Sequence, residues 1–208
     1  MRITKDAEER RAEILDAAEE LFARKGYAST STNDIIERIG IARGTLYYHF
    51  RSKEEILDAV VLRFTDSLIR KAEEASVDRS IALYDRIVLT MQSLSSDTEL
   101  GRELLSQIHK GENALLHQKV QDIMIERCSS VFSSLIREGN ESGLFSCRFP
   151  DEAASMIMTY SYIAFDEARS RDEKAREREI MGFIDNTERI LGAESGSLLS
   201  VILRIFGI

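Results

Sequence analysis

Apolar residues recur along this chain at steps of three and four, the spacing that places side chains on one face of an α-helix. In a first helix expected from about Asp6 to Lys25, the stripe is Ile14, Leu15, Ala18, Leu21 and Phe22. Asp6 and Glu9 stand in capping-box spacing at its start, and Gly26 marks its stop. A short second helix carries Ile35, Ile36 and Ile39, with Thr32 able to cap it and Gly40 placed to end it. A third runs from about Arg43 to Phe50, anchored inward by Leu46 and Phe50 four residues apart. Together with Tyr27, these residues suffice for a small core.

A fourth helix starts at Ser52, with Glu55 as capping-box partner, and runs to about Ala75, carrying Ile56, Leu57, Val60, Phe64 and Leu68. At about 1.5 Å per residue it spans roughly 35 Å, long enough to join a head to a body. Further helices are expected over residues 79–94, 98–109 and 112–138, with Gly139 to Gly143 as the main loop. Pro150 suits the first turn of an eighth helix reaching about Arg169, and a ninth covers about Ala175 to Leu191. The apolar end, Leu198 to Ile208, reads as a short tenth helix. No segment sustains the period-two alternation of a strand. The pattern predicts an all-α fold of nine to ten helices, with a three-helix domain over residues 1–53 and a larger helical domain over 54–208.

Composition agrees with this reading and narrows it. One Pro and 11 Gly in 208 residues leave few helix breakers. The formal charge of -8 is uneven: residues 1–53 hold ten basic and nine acidic side chains, a net +1, and residues 54–208 hold eighteen and twenty-seven, a net -9. A nearly neutral head on an acidic body suits a protein that binds one nucleic-acid site without coating others. The start, Met1 to Asp6, lacks the apolar run of a secretory signal. The eleven residues of the last segment cover roughly 16 Å as a helix, about half a hydrocarbon core, so no membrane partner is expected. Cys128 and Cys147 fit a reducing cytoplasm as free thiols.

The stretch Thr32 to Lys53 carries the most specific chemistry. Two short helices joined at a glycine turn form a helix-turn-helix, the geometry that offers a second helix to a DNA major groove. With Leu46 and Phe50 inward, Arg43, Thr45, Tyr48 and His49 point away and Tyr47 lies at the boundary. Hydroxyls, tyrosines and a histidine suit base edges and phosphate oxygens. Gly44 costs roughly 1 kcal/mol against Ala in a helix, which implies a positional reason for it.

The run Gly40-Ile41-Ala42-Arg43-Gly44-Thr45-Leu46-Tyr47-Tyr48-His49-Phe50, followed by Ser52-Lys53-Glu54-Glu55, resembles the DNA-binding signature of the TetR family of transcriptional repressors, over about Ile14 to Leu57. The resemblance implies that Thr32 caps the second helix and touches phosphate. It places Arg43, Gly44 and Thr45 against bases, Tyr47, Tyr48 and His49 on backbone or base edges, and Lys53 on a phosphate. Ala42 departs from the pattern, where a capping Ser or Thr is common.

The resemblance also implies a homodimer on a partly palindromic double-stranded DNA operator, released when a small-molecule effector binds the body. Its dimer seam would use the eighth and ninth helices, through Met156, Ile157, Tyr160, Ala164, Phe183 and Ile184. Candidates for lining an effector pocket are Phe64, Leu68, Tyr84, Met91, Met124, Cys128 and Phe132, all equally able to serve as plain core. His109, Asn113 and His117 bracket Gly111 and are candidates for a polar patch in that pocket, able to meet a metal or an anionic headgroup; the other reading is a helix turn with solvated histidines. No nucleophile elbow, phosphate-binding glycine loop, paired-His zinc motif or CxxC is present, so neither an enzyme nor a cofactor is expected. The alternative function is a helical ligand-binding or adaptor protein without DNA binding.

Overall fold

The computed structural model describes residues 7–95, 98–110, 113–165 and 173–207. Among the described residues ten helices follow one another: α1 Ala7–Lys25, α2 Thr32–Ile39, α3 Arg43–His49, α4 Lys53–Val77, α5 Leu83–Gln92, α6 Glu99–Ile108, α7 Ala114–Glu141, α8 Pro150–Ala164, α9 Glu173–Leu191 and α10 Leu199–Phe206. Among the described residues there is no strand. The expected cap at Asp6 and the expected end of α8 at Arg169 lie outside the described residues.

Three helix limits differ from the periodicity, each for a local reason. α5 begins at Leu83 rather than near Arg79, because the Asp78 carboxylate accepts from the Ser80 amide at 3.0 Å and holds a turn there. α4 starts at Lys53 with only half of the expected capping box. The Glu55 amide donates to Ser52 Oγ at 3.2 Å, while the Glu55 carboxylate takes the Arg51 amide at 2.6 Å. α7 runs through Gly139 to Glu141, where a loop was expected. A Cβ on Gly139 would lie 2.0 Å from the Phe145 ring, so this glycine serves close approach inside a helix, and the turn waits for Gly143 at φ 74°.

The chain forms two compact units, residues 1–66 with 96–118, and residues 67–95 with 119–208. This division differs from the expected boundary at 53/54. In the first unit Ile14, Ala18, Phe22, Ile35, Leu46, Phe50, Ile56 and Leu104 are buried. α6 packs on α1, and the Glu103 carboxylate accepts both the Tyr27 amide and the Gln107 side-chain amide at 2.8 Å. α1 is therefore apolar on more than one side, with Ala17 buried as well as the expected stripe.

In the second unit Ile69, Val88, Cys128, Leu135, Ala154, Ile180, Ile184 and Ile202 belong to one core. α10 packs on α5, tied by the Arg204–Asp85 ion pair at 2.7 Å and by the Gln92 side-chain amide donating to the Arg204 carbonyl at 3.2 Å. Buried Glu188 takes the amides of Gly196 and Leu198, both at 2.9 Å, and so fixes the entry to α10.

Gly139→Ala is expected to lower stability by about 1–3 kcal/mol through overpacking against Phe145, against the roughly 1 kcal/mol that helix propensity alone would add. Urea unfolding midpoints decide the sign.

Candidate nucleic-acid interface

The turn between α1 and α2 ends on a capping box built by Ser31, not by Thr32 as expected. Ser31 Oγ accepts the Asp34 amide at 3.2 Å, and the Asp34 carboxylate accepts the Ser31 amide at 2.6 Å. Lys25, 2.9 Å away, together with Ser31 holds the Asp34 carboxyl well below the usual carboxylate range. Thr32 is then the first helical residue, with its hydroxyl 3.4 Å from the Tyr47 hydroxyl. Sequence alone offered two adjacent hydroxyl residues, and the extended backbone at Ser31, φ -104° and ψ 160°, selects the cap.

Gly40 closes α2 in the left-handed conformation, φ 67° and ψ 37°, with its amide donating to the Ile36 carbonyl at 2.9 Å. Ala42 opens α3 without any side-chain cap. Leu46 and Phe50 are fully buried, which turns the rest of α3 outward. Arg43, Gly44, Tyr47 and Tyr48 are exposed, and Thr45 and His49 are half-buried. Tyr48 stands furthest out, at 80% exposure, edge-on to His49 with ring centroids 5.0 Å apart. The Arg43 guanidinium lies 5.5 Å from the Tyr47 ring, and the Thr32 hydroxyl, then Arg43, hold the Tyr47 phenol below its ordinary pKa. A Cβ at Gly44 would meet nothing within 4 Å.

Lys53 was expected to meet phosphate, yet its ammonium donates to the Tyr27 and Thr30 carbonyls, both at 3.0 Å, and sits 4.1 Å over the Tyr27 ring. It fastens the α1–α2 turn to the start of α4, because two backbone acceptors there have no helical partner. Arg11, left out of the expected site, donates to the His49 carbonyl at 3.2 Å with its guanidinium 4.2 Å over Phe50. No spacing rule links residues 38 positions apart, so periodicity was silent on it.

The expected effector residues separate. A cavity of about 240 Å³ lies in the second unit, and Met91, Met124 and Phe132 line it. Tyr84 rests beside the lining residue Phe145, at 6.1 Å between rings, while Leu68 and Cys128 are buried without facing the cavity. Phe64, His109, Asn113 and His117 belong to the first unit and do not line it. The His109 and His117 rings meet edge to face at 5.3 Å, and the Asn113 side-chain amide donates to the Gln107 carbonyl at 2.8 Å, closing the end of α6. Among the described residues no group of three or more His, Cys, Asp or Glu is placed to hold a metal.

The expected seam separates too. Met156 and Tyr160 are exposed, as are Ile163 and Met181. Phe183 stacks on Tyr160 at 5.8 Å and, with Ile157, lines the cavity. Ala164 and Ile184 are buried within the unit, because those faces of α8 and α9 meet their own core. Burial pushes the Cys128 thiol up to about 12. Alkylation of Cys128 at pH 8 should therefore be far slower in the folded chain than after unfolding, as mass spectrometry would show.

Residues 14–60 match the model of the bacterial regulatory proteins of the tetR family, and residues 96–181 match a tetracyclin repressor-like C-terminal domain. The HTH-type transcriptional regulator YfiR of Bacillus subtilis is 32% identical over 152 residues, 69% of this chain and 72% of that protein. The HTH-type transcriptional regulator TtgR of Pseudomonas putida is likewise 32% identical over 152 residues, 70% of this chain and 64% of its own. The structure of SmeT, the repressor of a multidrug efflux pump of Stenotrophomonas maltophilia, is 26% identical with a TM-score of 0.54, over 89% of this chain and 91% of that one. With an exposed reading helix in a helix-turn-helix and both halves of the chain matched, this chain belongs to the TetR family of transcriptional regulators.

Proposed function

We propose that the chain acts as a homodimeric repressor that binds a partly palindromic operator through α3 and releases it when a small molecule occupies the cavity of the second unit. The observation that carries the DNA reading is the outward face of α3. Arg43, Gly44, Thr45, Tyr47, Tyr48 and His49 lie on a helix whose other side is spent on Leu46 and Phe50. A packing hairpin has no use for an 80% exposed tyrosine beside an arginine. Gly44 supports the same reading, since nothing in the chain itself demands a missing side chain there. A duplex backbone or base edge approaching closely supplies the demand.

The body supplies a twofold contact surface. Met156, Tyr160 and Ile163 recur along one face of α8 and are exposed with Met181 of α9. A row of exposed apolar side chains along one helix face suits a self-complementary interface. Two recognition helices related by that axis would enter major grooves about 34 Å apart. Release follows from linkage. The effector must bind the DNA-incompetent dimer more tightly, and a coupling of about 1–3 kcal/mol changes operator affinity roughly 5- to 150-fold. TtgR is named a transcriptional regulator and SmeT the repressor of a multidrug efflux pump, and repression of a pump that exports small molecules suits a repressor released by one.

Operator sequences selected from random duplexes are expected to be inverted repeats. On such a site Thr45→Ala and Tyr48→Ala should each weaken binding by about 1–3 kcal/mol, roughly 5- to 150-fold, with unfolding midpoints unchanged. Unchanged affinity of both variants for every selected duplex would remove the reading role from α3, and a selection that recovers no bound duplex would favour an adaptor that never touches DNA. Tyr160→Asp with Ile163→Asp should shift sedimentation toward the monomer and weaken operator binding together. A dimer that survives both substitutions places the interface elsewhere.

A further inference from the structure

The cavity of the second unit has a wall of one chemical kind. α5, α7, α8, α9 and α10 contribute Met91, Met124, Phe132, Met158, Phe183 and Ile202 among others, and among the described residues no Asp, Glu, Lys, Arg or His faces it. Its hydrogen-bonding side chains are the hydroxyls of Ser161, Tyr162 and Thr187. Ser161 Oγ already donates to the Met158 carbonyl of its own helix at 3.0 Å, which leaves it chiefly an acceptor.

Among the described residues, Glu188 and Arg86 are the charged side chains buried elsewhere in this unit. Glu188 follows Thr187 in sequence, yet its two oxygens hold the Gly196 and Leu198 amides, both at 2.9 Å. Arg86 pairs with Glu138 through Nη2, while its Nε and Nη1 are buried without a hydrogen-bond partner among the described residues. Neither is a lining residue. A ligand bringing a carboxylate or an ammonium into this cavity would leave its hydration shell without a counter-charge to replace it, the most expensive form of burial. A hydrocarbon loses nothing there, and three methionines give the wall the softness to close around it.

Size narrows the class further. The cavity, about 240 Å³, exceeds the roughly 150 Å³ space that admits benzene and falls below the roughly 300–1,000 Å³ of drug-sized sites. We infer that this cavity takes a compact, uncharged, largely hydrocarbon molecule with at most one hydrogen-bonding group, and that it discriminates against the same skeleton bearing a charge. As a statement about the effector, this rests on the release mechanism proposed above. As a statement about what the cavity binds, it stands without DNA.

The test uses the full chain at pH 7.4, with the fluorescent neutral probe N-phenyl-1-naphthylamine bound and then displaced by 1-decanol, decanoate or decyltrimethylammonium. Decanol is expected to displace the probe at a concentration at least about tenfold lower than either charged analogue, one pair in ten being worth about 1.4 kcal/mol. Ser161→Phe on α8 and Ile205→Trp on α10, which fill the space from different helices, should each weaken decanol at least about tenfold. Decanoate or the ammonium competing as well as decanol overturns the inference, as does a lack of saturable displacement by decanol. Filling variants that fold and bind decanol like the parent also overturn it. In parallel, the selected operator is titrated with decanol present. Decanol that binds the chain yet leaves operator affinity unchanged overturns the release mechanism while supporting the ligand class.

Discussion

A helix of seven residues without a side-chain cap cannot hold its own shape in water, since nucleation alone exceeds what so few hydrogen bonds return. α3 exists because Leu46 and Phe50 are pulled completely into the core of the first unit. That single anchorage has two consequences. It supplies the stability that Ala42 does not, and it fixes the rotation of the helix, so that arginine, threonine and tyrosines must face outward. Arg11 reinforces the same point from α1, with its guanidinium over Phe50 and a hydrogen bond to the last carbonyl of α3. The reading surface is thus a by-product of core packing, which gives it rigidity before any DNA arrives.

The second unit follows a different economy. Its two buried charged side chains among the described residues act on structure, Glu188 holding the entry of α10 and Arg86 pairing with Glu138. What remains facing inward is methionine, aromatic and aliphatic surface around a space too large to be a packing defect. α10 contributes Val201, Ile202 and Ile205 to that wall and is held on α5 by Arg204 and Asp85. The short tenth helix that the periodicity indicated thus forms part of the cavity wall.

Where expectation and structure part, the cause is the same each time. Thr32 and Ser31 are equivalent as residue types, and only backbone direction made Ser31 the cap. Lys53 is a cation at the right spacing for phosphate, and in the chain alone its ammonium also donates to two carbonyls of a turn 23 and 26 residues earlier, a contact no spacing predicted. Gly139 reads as a loop glycine until Phe145 is seen against it. His109 and His117 do fall together, as their spacing around Gly111 suggested, but in the first unit and away from the cavity.

Local pattern was enough for the helix order, the helix-turn-helix and the outward face of α3, because each depends on residues within one or two turns of one another. Periodicity and a glycine that must adopt positive φ are properties of short windows, and they survive in the bare sequence. The placement of α6 against α1, the partition of α8 and α9 between core and surface, and the uncharged wall of the cavity were decided by packing between segments far apart in the chain. An apolar stripe states that a face must be buried. Which neighbour buries it, and what empty volume is left between them, is set by the shapes of all the partners at once.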